Sequence, residues 1–313
     1  MENQELKEIR AAYVETLSAL AGENKNIVVL EADLMSCTNT GSFKKAYPDR
    51  FFNVGIAEAN MVGVASGLSA AGKIPFAATF GCFASRRAFD QFFISANYAR
   101  LNVKLIGTDP GVTAAFNGGT HMPFEDLALM RVIPGLTVAE PSDAPSCAAL
   151  IREAAALYGC VYMRFPRKPV PVIYPRDETF RFGKAKVLKQ GKDVLIAALG
   201  SLMVNESLKA REMLAAAGID AGVLDVLTLK PIDADAILTE AAKVKAVVSA
   251  ENHQINGGLG GAVAEILAES GYKGKFARIG VADEFGEVGT QDYLAKRFGL
   301  DAESIAGKIK ALF

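Results

Sequence analysis

The 313-residue chain contains few cysteines, only two histidines and no tryptophan. Its four cysteines form no C-x-x-C pair and have no histidine at the spacing of a zinc site; they are Cys37, Cys82, Cys147 and Cys160. The sequence therefore predicts neither a disulfide framework nor a cysteine-based metal site. Reduced thiols in a cytoplasmic protein are the simple expectation.

Long hydrophobic runs are also absent, although 50% of the residues are hydrophobic and the mean hydropathy is +0.20. No run approaches the ~18 residues of a membrane span, so the apolar excess favours buried subunit contacts over a membrane location. The N-terminal sequence MENQELKEIR is charged and has no apolar centre, which predicts no secretory signal. A net charge of −1 gives no electrostatic basis for binding nucleic acid.

An amphipathic helix is predicted over residues 5–21. Predicted strands, among them one near 74–80, then alternate with helices along the first half of the chain, which is typical of βαβ units with a parallel sheet. A proline-rich stretch, RFPRKPVPVIYP at 164–175, interrupts this rhythm and favours an extended connector. The alternation restarts at the buried strand DVLIAALG, residues 193–200, and continues with the strand AGVLDVLTL at 221–229 and a helix from Leu259 to Glu269. The sequence thus predicts two three-layer α/β domains with mostly parallel sheets, at residues 1–175 and 176–313, joined near 165–190.

The segment RFFNVGIAEANMVGVASGLSAAG, residues 50–72, predicts a short strand, a glycine turn and an apolar helix. Its apolar residues follow the i, i+3, i+4, i+7 spacing of a buried stripe, at Met61, Val64, Ala65 and Leu68. Gly63 and Gly67 predict the close approach of another backbone. One carboxylate, Glu58, opens this helix, where the helix dipole favours it but burial leaves it poorly solvated. Such a carboxylate requires a partner.

This segment resembles the pyrimidine-binding domain of transketolases, in which a Glu in the pattern NVGIAE contacts the aminopyrimidine of thiamine diphosphate. Further runs resemble the same domain, namely EADL at 31–34, PFAATFGCF at 75–83, RAFDQ at 87–91, LNVKLIG at 101–107 and NGGTHMPFEDLALMR at 117–131. The tail is similar to the transketolase C-terminal domain in LTLKPID at 227–233 and ENHQINGGLGG at 251–261. The chain therefore resembles the C-terminal subunit of a split transketolase.

One half of the cofactor site is missing from the sequence. Transketolases hold Mg²⁺ and the diphosphate with a GDG motif followed by an Asn-rich turn, and this chain contains neither a GDG motif nor a P-loop. The resemblance thus implies a diphosphate-binding N-terminal partner subunit that supplies the Mg²⁺ ligands, with no metal site on this chain. Because two such pairs associate about a twofold axis in the family, it also implies an α₂β₂ heterotetramer.

The resemblance implies roles for several residues at the cofactor. Glu58 matches the carboxylate that activates thiamine diphosphate through its pyrimidine ring, and Phe80 and Phe83 match aromatic residues that enclose this ring. Arg86 stands where the family often has a third aromatic residue. His121 matches a histidine near the reactive end of the cofactor, where an imidazole can move protons. The alternatives are a helix-capping Glu, core phenylalanines and a solvated loop histidine.

Substrate recognition follows the family pattern less closely. Arg10 and Arg164 match arginines that clamp a sugar phosphate, and the alternatives are a surface cation and a connector arginine. Asp109 replaces a phosphate-contacting histidine of many transketolases, and Asn117 replaces an aspartate that contacts a substrate hydroxyl. Because an ionised Asp109 would repel an acceptor phosphate, we hypothesise that the acceptor is not the usual pentose phosphate.

The activity that the resemblance implies is transfer of a two-carbon ketol unit from a ketose phosphate to an aldose acceptor, in carbohydrate metabolism of the pentose phosphate type. This activity would require the partner subunit. One alternative is the β subunit of a 2-oxoacid decarboxylating enzyme, although that family typically has TPIAE and HSQ-type runs where this chain has NVGIAE and THMP. Another alternative is a non-catalytic regulatory subunit that kept the fold.

Overall fold

The computed structural model describes residues 5–313; residues 1–4, which begin both the first predicted domain and the charged N-terminal segment, lie outside this range. The strands are β1 (Leu6–Glu8), β2 (Ile27–Glu31), β3 (Phe51–Asn53), β4 (Ile74–Phe80), β5 (Lys104–Thr108), β6 (Thr137–Ala139), β7 (Val161–Phe165), β8 (Pro169–Pro171), β9 (Lys186–Lys189), β10 (Val194–Leu199), β11 (Ala221–Asp225), β12 (Thr228–Lys230), β13 (Ala246–Gln254) and β14 (Lys275–Val281).

The α-helices are α1 (Ile9–Glu23), α2 (Met35–Thr38), α3 (Gly41–Ala46), α4 (Glu58–Ala70), α5 (Phe89–Gln91), α6 (Asp126–Arg131), α7 (Ala144–Ala156), α8 (Gly200–Ala215), α9 (Ala234–Ala241), α10 (Leu259–Glu269), α11 (Gln291–Arg297) and α12 (Ala302–Lys310). Short 3₁₀ helices occupy Pro48–Arg50, Gly111–Asn117 and Gly119–His121, and π-helical turns occupy Phe83–Arg87 and Phe92–Tyr98. Within residues 5–313 no helix has the length and apolarity needed to cross a membrane.

Two mostly parallel sheets organise the chain. The first has seven strands in the order β12-β6-β7-β5-β4-β2-β3, and only the β12–β6 pair is antiparallel. The second has five strands in the order β14-β13-β10-β11-β9, and only the β11–β9 pair is antiparallel. These sheets confirm the predicted pair of α/β domains with mostly parallel sheets, and the boundary at residue 175 stays a prediction.

The central strands are buried on both faces, which explains their continuous apolar runs. In β2, Val28 and Leu30 belong to the cluster that contains α4, whereas Ile27 and Val29 belong to the cluster that contains α1. Leu195 of β10, in the second sheet, joins the same cluster as Leu30. The two domains therefore share one continuous apolar layer.

The segment predicted as one strand over 221–229 is divided between the two sheets. It breaks after Asp225, and Leu227 adopts a φ of +56°. The following residues form β12, which pairs with β6 of the first sheet instead of extending the second. A left-handed Leu is uncommon, so neither residue type nor alternation predicts this turn.

The proline-rich connector also forms a strand. Its β8 pairs antiparallel with β1, and Glu8 lies opposite Pro169. This ribbon brings Leu6–Glu8 against the connector, so the helix predicted over 5–21 begins only at Ile9, as α1. A Cβ added to Gly63 or Gly67 of α4 would meet no atom within 4 Å among the described residues, so the predicted close backbone neighbour is not found within this part of the chain.

Candidate active site

Glu58 is the first residue of α4 and follows the turn at Gly55, which has a φ of +76°. Its side chain is only 4% exposed, and Oε1 accepts a hydrogen bond of 3.0 Å from Nη1 of Arg87. The helix dipole and this guanidinium both favour a carboxylate at the position. The sequence predicted that Glu58 needs a partner, and within the described chain that partner is Arg87.

Three rings gather beside this carboxylate. Phe80 ends β4, Phe83 begins the π-helical turn, and His121 lies in the loop that follows β5. The ring centroids are 5.8 Å apart for Phe80 and Phe83, 5.3 Å for Phe83 and His121, and 6.1 Å for Phe80 and His121. His121 Nδ1 lies 2.9 Å from the hydroxyl of Thr120. The structure thus brings together three of the predicted site residues.

Arg87 connects the carboxylate to the rings, a contact that sequence reasoning missed. Its guanidinium carbon lies 3.8 Å from the centroid of the Phe83 ring. Arg86, the predicted residue, instead donates a 2.7 Å hydrogen bond to the carbonyl of Thr120 and pairs with Glu125 at 3.3 Å. Arg86 therefore supports the loop that carries His121. Arg87 is the first residue of the RAFDQ run, which resembles the family, so this run could have identified Arg87 as a candidate site residue.

Asp109 lies directly after β5, with a φ of +60°. It is 1% exposed, and Oδ1 accepts a 2.7 Å hydrogen bond from Nε of Arg167. Burial raises the pKa of Asp109 above its ordinary value, and the neighbouring Arg167 lowers the same pKa in part. The guanidinium of Arg167 lies 5.2 Å from the Phe80 ring, so this ion pair adjoins the ring cluster.

Arg10 lies near the same ion pair. It makes a two-pronged contact with Glu8, at 2.9 Å and 3.3 Å, and donates a 2.9 Å hydrogen bond to the carbonyl of Cys37. Arg167 reaches the sulfur of Cys37, at 3.4 Å. The two arginines therefore converge on α2. Asn117 ends a 3₁₀ helix in the loop between Asp109 and His121, and its buried side-chain amide nitrogen has no hydrogen-bond partner among the described residues.

The structure does not bring Arg164 to this cluster of side chains. Its side chain is completely buried, and it binds Asp126 at 2.6 Å, Glu140 at 2.8 Å and the carbonyl of Asn252 at 3.2 Å. Because Arg164 has no exposed surface, we assign it to the contact between the domains and not to a substrate phosphate. Arg167, three residues later, lies beyond the carboxyl end of β7, where loops of parallel sheets carry function.

His253 is buried at the same contact between the domains. Its Nδ1 lies 2.7 Å from the carbonyl of Gln254, and Nε2 lies 3.4 Å from the backbone nitrogen of Ala128. Burial lowers the pKa of His253 to about 4, so the ring is neutral near pH 7. Among residues 5–313, no group of three or more His, Cys, Asp or Glu side chains is arranged to hold a metal ion.

Two family models cover most of the chain. Residues 6–172 match the transketolase pyrimidine binding domain, and residues 183–305 match the transketolase C-terminal domain. The chain belongs to the transketolase family. This result confirms the resemblance that the NVGIAE and THMP runs predicted.

Similar transketolase proteins include single subunits of about the same length. The chain is 49% identical over 297 residues to the 6-deoxy-6-sulfo-D-fructose transketolase subunit SqwH of Clostridium sp. (strain MSTE9). The matched region covers 95% of this chain and 92% of that protein. The chain is 45% identical over 305 residues to a putative transketolase C-terminal section of Methanocaldococcus jannaschii, with coverages of 97% and 95%. A solved split-gene transketolase, described as an inactive beta4 tetramer, matches with a TM-score of 0.89, 45% identity and 97% coverage of both chains.

The transketolase family uses thiamine diphosphate, and the residues of this cluster fit the pyrimidine end of that cofactor. Glu58 offers a carboxylate that is shielded from water, which suits a hydrogen bond to a ring nitrogen. Phe80 and Phe83 offer apolar ring surface to a flat heterocycle. The flat guanidinium of Arg87 already makes the two contacts expected of such a ring, since it donates a hydrogen bond to Glu58 and lies over the ring of Phe83.

Proposed function

We propose that this chain is the catalytic C-terminal subunit of a two-chain transketolase that transfers a two-carbon ketol unit from a ketose phosphate to an aldose acceptor. The observation that supports this proposal is the grouping of Glu58, Phe83 and His121 within one cluster of this family's fold. The partner would be an N-terminal transketolase subunit that binds the diphosphate and Mg²⁺, in a cytoplasmic α₂β₂ heterotetramer. Its pathway would be of the pentose phosphate type or a related one.

When bound, thiamine diphosphate supplies the nucleophilic carbon and the electron sink that cleavage of a carbon–carbon bond next to a carbonyl requires. Arg87 holds Oε1 of Glu58 and so orients the carboxylate. We assign the second oxygen, Oε2, to the ring nitrogen of the pyrimidine. Phe80 and Phe83 keep water away from this contact, which strengthens a hydrogen bond between the carboxylate and the ring.

We assign to His121 the transfer of a proton to or from a substrate hydroxyl. Thr120 contacts Nδ1, which leaves Nε2 of the imidazole for the substrate. Arg167, in place of Arg164, would bind the anionic end of the sugar together with Arg10, and Asn117 would contact a hydroxyl. Because the Clostridium relative is named for 6-deoxy-6-sulfo-D-fructose, sulfonated sugars belong among the candidate substrates beside phosphorylated ones.

The test is ketol transfer from xylulose 5-phosphate, with thiamine diphosphate and Mg²⁺, by this chain alone, by its diphosphate-binding partner alone and by the mixture. We expect transfer only in the mixture. Failure of the mixture to transfer ketol units despite forming a stable complex, together with CO₂ release from a 2-oxoacid, would favour the decarboxylating alternative.

The variant Glu58→Gln separates a catalytic subunit from a regulatory one. It is expected to lower kcat at least about 100-fold, because a neutral amide cannot replace a carboxylate in proton transfer. The matched control Glu23→Gln, at an exposed position at the end of α1, should retain full activity. Unchanged turnover by Glu58→Gln in a folded complex would identify the chain as a regulatory subunit.

A further inference from the structure

The two arginines that the proposed function assigns to the anionic end of a substrate are each paired with a carboxylate. Arg10 contacts Glu8 at 2.9 Å and 3.3 Å, and Arg167 contacts Asp109 at 2.7 Å. The two arginine side chains are 23% and 27% exposed, so both reach the molecular surface. The formal charges of these four groups sum to zero. We call them the paired-arginine subsite.

The fold holds these four groups in place through backbone contacts. The β1–β8 ribbon sets Glu8 opposite Pro169, two residues after Arg167. The backbone nitrogen of Asp109 donates a 3.2 Å hydrogen bond to the carbonyl of Phe165, at the end of β7. Both arginines also contact Cys37, through its carbonyl and its sulfur. The backbone segments that carry the two carboxylates are therefore held beside the two arginines.

We propose, on the basis of the transketolase function above, that the paired-arginine subsite selects sugars that end in a singly charged anion, such as a sulfonate, over sugars that end in a doubly charged phosphate. A dianion loses more hydration on binding than a monoanion does, and here each guanidinium charge is offset by a carboxylate, so the second charge gains no net attraction in return. The second charge of a phosphate adds repulsion from Asp109, which is almost fully buried and poorly screened. At about 6 Å and an effective dielectric constant of about 20, this repulsion alone corresponds to about 100-fold in binding (about 2.7 kcal/mol), and it cancels the attraction that an unopposed Arg167 would exert on the second charge.

The experiment compares two acceptors of equal length, erythrose 4-phosphate and 4-deoxy-4-sulfoerythrose, in the reconstituted two-subunit enzyme. The measured quantity is the ratio of kcat/KM for the sulfonate to kcat/KM for the phosphate. The ratio is expected to exceed one. Asp109→Asn keeps an oxygen for Arg167 and tolerates a positive φ, and it should lower the ratio by about 100-fold.

Two further variants test the charge argument. Glu8→Gln removes the other carboxylate of the subsite, and since Glu8 is 33% exposed, the expected decrease in the ratio is smaller, about 10-fold. If Asp109→Asn does not fold, the change in the ratio for Glu8→Gln tests the charge argument in its place. Glu15→Gln removes the same charge from an exposed position on α1, outside the subsite, and should leave the ratio within about twofold.

Binding of unreactive polyols separates this inference from the proposed function. Erythritol 4-phosphate and 4-deoxy-4-sulfoerythritol are titrated into the same complex by calorimetry. Preference for the sulfonate without any ketol transfer would support the subsite and contradict the transketolase proposal. Equal or tighter binding of the phosphate, with a ratio that Asp109→Asn and Glu8→Gln leave unchanged, would overturn the subsite inference and leave the transferase function intact.

Discussion

Replacing Arg164 with methionine is expected to destabilise the chain by about 3–5 kcal/mol, because the substitution leaves two buried carboxylates without their counter-charge. Arg164 and Asp126 are completely buried, and Glu140 is 2% exposed. Methionine fills much of the volume of arginine but donates no hydrogen bond. The free energy of unfolding should therefore fall through electrostatics and not through a cavity.

The loss should depend on pH, because Glu140 can take up a proton. Burial raises the pKa of Glu140 to about 7, against the opposing effect of Arg164, and removing Arg164 raises this pKa further. A carboxyl whose pKa is raised in the folded state stabilises it fully below about pH 4.5, and this contribution is lost as the pH rises through about 7. The deficit of Arg164→Met should thus be smaller at pH 5 than at pH 8.

Urea unfolding followed by circular dichroism measures this deficit, and Arg167→Met is the matched variant. Arg167 is 27% exposed and pairs with one buried carboxylate instead of two, so its loss should cost less than that of Arg164, about 1–3 kcal/mol. In the two-subunit enzyme, Arg167→Met should raise KM for an anionic acceptor. The reasoning is refuted if Arg164→Met unfolds within about 1 kcal/mol of the wild type and raises KM as much as Arg167→Met does, since Arg164 would then bind substrate.

Three other substitutions test single features of the fold. Burial raises the pKa of Glu31 to about 7, so the unfolding free energy of Glu31→Gln relative to the wild type should increase by about 2–3 kcal/mol between pH 5 and pH 8; equal differences in urea melts at both pH values would contradict this. Gly63→Ala, on an exposed helix surface with no neighbour within 4 Å in the described chain, should stabilise the isolated chain by about 0.5–1 kcal/mol in the same assay. Gly119→Ala would place its Cβ 2.0 Å from the carbonyl oxygen of Gly286, so it should destabilise the loop that carries His121 and lower kcat, and unchanged kinetics would argue against that contact.

The sequence predicted best those parts of the fold that depend on local pattern. Its strand over 74–80 coincides with β4, and its helix from Leu259 to Glu269 coincides with α10, because both have uninterrupted apolar periodicity. The β12 strand depends instead on pairing with β6, which lies far earlier in the chain, and on the left-handed turn at Leu227. Such long-range pairing leaves no trace in the residues of one strand alone.

In the candidate site, too, the position of a residue could be predicted from the sequence, whereas its contacts could not. Phe80, Asp109 and Arg167 lie at or just beyond the carboxyl ends of β4, β5 and β7, which are neighbours in one parallel sheet, so topology alone brings them to the same edge. Which arginine reaches the surface beside the ring cluster is decided by its charged neighbours. Arg164 lies inside β7 and forms buried ion pairs with Asp126 and Glu140, whereas Arg167 lies beyond the end of β7 and pairs with Asp109. A motif identifies the edge of the sheet, but competition among charged neighbours determines which side chain remains for the substrate.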